Sequence, residues 1–145
     1  MAYSRLKWTP GDLKESFSIG PLEVPAEEYY RRPESAALFA ENRWPQGRER
    51  FREVYSQYYR VMERLAADVL RIFAAALEHP EHYFADKIDR HFGVLRVLNY
   101  PNQPQDPLPG QLRAGEHSDY TTLTILRHED AAQGKTNRHL RSQNT

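Results

Sequence analysis

The chain has 145 residues, 20 Lys plus Arg against 20 Asp plus Glu, and no cysteine. That length suits one domain with a real core, and the zero net charge gives no reason to expect nucleic acid, an anionic membrane or another polyanion as partner. The missing cysteines exclude disulfides and thiolate metal ligands, and they fit a reducing compartment.

The opening segment, "MAYSRLKWTPGDLKESF", has no apolar stretch of the secretory kind. The longest apolar run, "IFAAAL" at 72–77, is far short of the ~20 residues of a membrane span. Both features predict a soluble, cytoplasmic protein without a membrane partner. Through residue 47 the chain is punctuated by Pro10, Pro21, Pro25, Pro33, Pro45, Gly11, Gly20 and Gly47. Such punctuation predicts an irregular, extended segment, with one or two helical turns in "PESAALFAENRWP".

Residues 48–78 carry the clearest periodicity. Phe51, Val54, Tyr55, Tyr58, Met62, Leu65, Val69, Ile72, Phe73, Ala76 and Leu77 recur at three- and four-residue steps, opposite Arg52, Glu53, Arg60, Glu63, Arg64 and Asp68. The pattern predicts an amphipathic helix of roughly 30 residues, about 45 Å long, with the aromatic stripe facing a core. Pro80 ends it at His79. A short second helix is expected in "PEHYFADKID", with Pro80 at its first position. "HFGVLRVLNYP" then reads as a strand, "PNQPQDPLPG" as a loop, and residues 119–126 as a further strand. Beyond Leu126 the composition turns polar, and 131–145 read as a disordered tail. These elements predict an α+β chain in three regions: 1–90 irregular and helical, 91–130 β-rich, and 131–145 polar. Two strands make a marginal sheet, so the chain reads as incomplete, and exposed strand edges would favour self-association.

The chemistry concentrates at "GEHSDYTTLTIL". On a strand, residues i and i+2 share a face, so His117 and Asp119 would converge on one ion. An imidazole with a carboxylate suits Fe(II), Mn(II) or Zn(II), and a second histidine would complete the 2-His-1-carboxylate triad of non-haem iron oxygenases. The spacing alone is not specific. His128–Asp130 repeats it in the polar tail, and His79–Glu81 approximates it beside Pro80; both read as surface pairs. What distinguishes His117–Asp119 is the apolar "YTTLTIL" that follows and the glycines 110 and 115 at its entry. The cations Lys135, Arg138 and Arg141 are too few to argue for nucleic acid.

"GQLRAGEHSDYTTLTIL", preceded by "LRVLNYP", resembles the isopenicillin N synthase-like family of 2-oxoglutarate- and Fe(II)-dependent oxygenases. "LKESFSIG", "ENRWP" and the long helix fit the same family, so the resemblance covers roughly residues 10 to 130. It implies an N-terminal helical region with a long helix, followed by a double-stranded β-helix (jelly roll) that is incomplete here. It also implies His117 and Asp119 as iron ligands, and Tyr100 as a hydrogen-bond donor to bound 2-oxoglutarate. The implied activity is hydroxylation or a related oxidation of a small organic substrate with O2. The chain departs from the family at Leu98, where many relatives carry asparagine. Family spacing would put the second histidine and the Arg-x-Ser anchor of the cosubstrate beyond Thr145, and neither His128, His139 nor Arg141–Ser142 substitutes for them. The expectation is a truncated oxygenase inactive alone, the alternative a non-catalytic interaction protein built on the same fold.

Overall fold

A helix of 28 residues, Glu49–Ala76, dominates the computed structural model, which describes residues 10–102, 106–119 and 121–128. In chain order the elements are β1 (Glu15–Ile19), α1 (Glu28–Arg31), α2 (Pro33–Ala36), α3 (Glu49–Ala76), α4 (Ala85–Ile88) and β2 (Leu95–Asn99). The result is a mixed helix-and-strand fold with a single two-stranded sheet among the described residues.

Helix α3 matches the predicted span closely, and its end has a clear cause. Leu77 caps it, Glu78 swings to φ 60°, and the chain folds back on the last turn. The His79 amide donates to the Ala74 carbonyl (2.9 Å) and the Glu78 amide to that of Ala75 (3.1 Å), the paired bonds of a Schellman motif. Pro80 follows, but it opens a turn rather than the predicted helix. Its carbonyl accepts from Tyr83 (2.9 Å), and α4 begins only at Ala85. Upstream, Pro33 takes the first position of α2, where a missing N–H costs nothing.

The sheet joins chain segments some eighty residues apart. Glu15 faces Asn99, Phe17 faces Val97 and Ile19 faces Leu95, antiparallel. β1 falls in the segment predicted to be irregular. Its alternation puts Phe17 and Ile19 on one face and Ser16 and Ser18 on the other, as a half-buried strand requires. Cross-strand bonds fix the register: Asn99 donates to Glu15 (2.8 Å) and Arg96 to Ser18 (3.0 Å).

The sheet sits on the first half of α3. Phe17 meets Phe51 and Tyr55 edge-on at 5.3 and 5.5 Å, with Trp44 beside them. Tyr30 packs edge-on against Phe39 in a second cluster. Asn42 closes the turn after β1 by accepting from the Gly20 amide (2.8 Å) and donating to the Gly20 and Pro21 carbonyls (3.2 and 2.9 Å). Tyr59 ties α3 to the approach of β2 through a 2.9 Å bond from its hydroxyl to the Gly93 carbonyl.

The buried positions of α3 are Tyr59, Leu70 and Ala74, not the stripe predicted to face the core. Val54, Leu65, Ile72, Phe73 and Leu77 are exposed. Phe17 of β1 meets the first half of α3 and residues 81–88 lie beside Ala67, Leu70 and Arg71 of its second half, so burial falls along one flank only. The second strand predicted, 119–126, is also overturned. Asp119 and residues 121–128 are irregular, with a bend at Thr121–Thr122. A strand needs a partner for its amides and carbonyls, and no described strand pairs with this segment. The His128–Asp130 pair and the tail 131–145 include positions outside the described residues.

No helix among the described residues is long and apolar enough to cross a membrane.

Candidate metal centre

The segment that carries His117 and Asp119 is anchored by the chain's other end. The Leu13 amide donates to the Leu112 carbonyl (2.9 Å), and the Gln111 side-chain amide donates to the Gly11 carbonyl (3.0 Å). Gly110, at φ 76°, makes the turn that sets Gln111 in place, in the left-handed region that glycine enters without strain. Asp12 lies between these bonds. Its Oδ1 sits 3.9 Å from the position of a Cβ on Gly115. A 2.6 Å hydrogen bond from Lys14 is the main cause holding the Asp12 carboxyl below its ordinary value, with the Gly115 amide and His117 adding to it.

His117 and Asp119 converge although they are not on a strand. Nε2 of His117 stands 3.6 Å from Oδ1 of Asp119, with both side chains more than half exposed. Each remaining polar atom has a partner. Nδ1 of His117 lies 2.9 Å from the Gly115 carbonyl, which can only accept, so the proton is on Nδ1. Oδ2 of Asp119 accepts a 2.6 Å bond from the Thr124 hydroxyl, itself 3.4 Å from that of Thr121. With Nδ1 and Oδ2 so engaged, Nε2 of His117 and Oδ1 of Asp119 face each other, and a neutral imidazole would turn its lone pair toward that gap.

That donor pair suits one divalent ion. Two donors about 2.1 Å from a metal stand about 3.0 Å apart at a right angle and about 4.2 Å apart when opposite. The observed separation falls between them. No group of three His, Asp or Glu side chains that could hold a metal occurs among the described residues.

The other sequence candidates fall elsewhere. His79 stacks on Tyr83, with centroids 4.0 Å apart and planes 7° off parallel, and Glu81 is paired with Arg71 at 2.8 Å. Both are thus engaged as structural groups at the end of α3, the surface role their spacing predicted. Tyr100 follows β2, with its carbonyl accepting a 3.4 Å bond from Arg113 and its side chain partly exposed. No hydrogen bond joins it to His117 or Asp119 among the described residues. Thr124 and Asp12 escaped the sequence reading. On a straight strand Thr124 would lie on the opposite face from Asp119 and about 17 Å along. Only the bend at 121–122 brings the two together.

Comparison with known proteins supplies the family. A 2-oxoglutarate-Fe(II) type oxidoreductase of Aspergillus fumigatus is 33% identical over 118 residues, 79% of this chain and 34% of that protein. Clavatol oxidase of Penicillium crustosum is 35% identical over 123 residues, again 79% of this chain and 36% of its own length. The chain belongs to the 2-oxoglutarate- and Fe(II)-dependent oxygenase family. Validamycin A dioxygenase of Streptomyces hygroscopicus subsp. limoneus, 26% identical over 85% of the chain, extends the likeness to bacteria. This oxygenase-family chain spans about a third of the length of these relatives. No family model matches it, and no solved structure does.

Proposed function

We propose that this chain forms the part of a 2-oxoglutarate/Fe(II)-dependent oxygenase that carries two of the iron ligands, within an enzyme oxidising a small organic substrate with O2. The observation that carries this reading is the 3.6 Å approach of His117 Nε2 to Asp119 Oδ1 with every other polar atom of the pair already satisfied. In this reading His117 binds through Nε2, because its Nδ1 proton is committed to Gly115. Asp119 binds through Oδ1, because Thr124 occupies Oδ2. Partners of this kind fix ring orientation and tautomer before the metal arrives. Tyr100, one residue beyond β2, would serve as hydrogen-bond donor to the cosubstrate, a role the family resemblance supports. Iron with 2-oxoglutarate, when bound, supplies the activation of dioxygen for attack on a C–H bond. The protein's share is to hold ligands, orient substrate and exclude water. The segment from β2 onward would then be the first part of a jelly roll, and 1–90 the helical region packed against it.

Calorimetric titration of the 145-residue chain with Co(II) tests the reading. One weak site is expected, abolished in His117→Ala and in Asp119→Ala, with no succinate formed from 2-oxoglutarate by the chain alone. Unchanged Co(II) binding in both variants would sink the assignment.

A second reading rests on the exposure of Val94, Val97 and Leu98 around a sheet of only two strands. Such a surface favours pairing with another chain, and the reading predicts oligomers that form with rising concentration and without metal. A monomer at every concentration would remove it.

A further inference from the structure

We infer that Asp12 is a positioning residue for the metal centre, acting on His117 through the Gly115 peptide; the inference rests on the ligand reading above.

Three observations carry it. Residues 11–13 are bonded directly to the loop that leads into His117, through Leu13 to Leu112 (2.9 Å) and Gln111 to Gly11 (3.0 Å). Between those bonds the Asp12 carboxylate lies against Gly115, close enough that an added Cβ would sit 3.9 Å from Oδ1. The Gly115 carbonyl in turn lies 2.9 Å from His117 Nδ1. Glycine leaves φ and ψ at residue 115 nearly free, so the contacts around it, Leu13 to Leu112, Gln111 to Gly11 and the neighbouring Asp12 carboxylate, limit how the loop presents the Gly115 carbonyl. Lys14 completes the arrangement by holding the other carboxylate oxygen, Oδ2, at 2.6 Å. Asp12 therefore sets the orientation of Gly115, and Gly115 sets which imidazole nitrogen carries the proton. Without that constraint the exposed His117 ring is free to take the other tautomer or to turn away. In either case the lone pair on Nε2 no longer faces Asp119.

The role is distinct from ligation. Asp12 touches no metal in this account, and it lies in a segment that the sequence marks only by "GDLKE". Its function is to make the loop's conformation depend on a residue about a hundred positions earlier. An engaged N-terminal segment becomes a condition for a competent ligand pair.

The test uses the metal-free 145-residue chain and long-range 15N–1H spectra of its six histidine rings. In the wild type, His117 is expected as the Nδ1–H tautomer. In Asp12→Ala the Nε2–H form gains population, and the Co(II) dissociation constant rises about tenfold, the scale on which outer partners of metal-bound histidines act. Asp12→Asn keeps an oxygen acceptor toward Gly115 and is expected to restore the tautomer and most of the affinity. An unchanged tautomer in Asp12→Ala, with α3 intact by circular dichroism, overturns the inference. So does a loss that Asp12→Asn fails to rescue. Failure of the ligand reading has a different signature: His117→Ala leaves Co(II) binding unchanged while the Asp12 variants still shift the tautomer.

Discussion

Replacing Tyr59 by phenylalanine removes one oxygen from the contact between α3 and the approach to β2. Tyr59 is 5% exposed, and its hydroxyl donates to the Gly93 carbonyl at 2.9 Å. A hydrogen bond of this kind contributes about 1 kcal/mol net, so Tyr59→Phe should cost roughly that near pH 8. The same geometry gives the cost a pH dependence. Burial, with the Glu63 carboxylate adding, pushes the Tyr59 hydroxyl up to about 12. In the unfolded chain it ionises near 10. The raised value means the folded state favours the neutral phenol. Stability from this group is fully present below pH ~10 and is lost as pH rises through ~12. At pH 11 the loss is on the order of 1 kcal/mol, from the ratio of ionised to neutral phenol in the two states. Tyr59→Phe escapes that loss. Urea denaturation of both proteins should therefore show a gap of about 1 kcal/mol at pH 8 that closes near pH 11. Tyr55, also raised by burial, is present in both proteins and cancels. A gap that is equal at both pH values would refute the reasoning.

Glu78→Gly should stabilise the chain by about 0.5–1 kcal/mol, since position 78 stands at φ 60° after α3, where glycine avoids the left-handed strain. A higher denaturant midpoint at constant slope would confirm it. Asn42→Ala strips three hydrogen bonds from the turn after β1 and should cost about 2 kcal/mol in the same experiment, with faster amide exchange at Gly20. Thr124→Val removes the 2.6 Å bond to Asp119 and should weaken Co(II) binding severalfold, with Thr124→Ser restoring it. Equal binding by the valine and serine variants would mean that Thr124 does not orient the carboxylate.

The long helix was legible because its periodicity is local and extends over eight turns, so Glu49–Ala76 needed no knowledge of what packs on it. Which of its residues would be buried was not legible. Tyr59 is covered at the approach to β2, Leu70 lies beside Phe84, Ala85 and Ile88, and the turn at 77–79 folds back on Ala74, all facts of tertiary packing. β1 was missed for a related reason. "ESFSI" alternates as a strand should, but it lies among prolines, and the partner that makes it a strand is Leu95–Asn99. The opposite error arose at 119–126, where high β-propensity met no partner and the chain bends instead. The metal centre was legible as residue types, His117 and Asp119, and as a family resemblance. Its supports, Thr124 and the Asp12–Gly115 contact, depend on a bend and on a hundred-residue closure that no local pattern encodes.

The central claim is that His117 and Asp119 are the ligands, and paramagnetic mapping tests it most directly. Substoichiometric Mn(II), added to the 15N-labelled chain, should broaden the amide signals of residues 115–119 and Thr124 first, and leave those of His79, Glu81 and His82 sharp. Broadening centred on 79–82, or spread evenly over the acidic surface, would contradict the account.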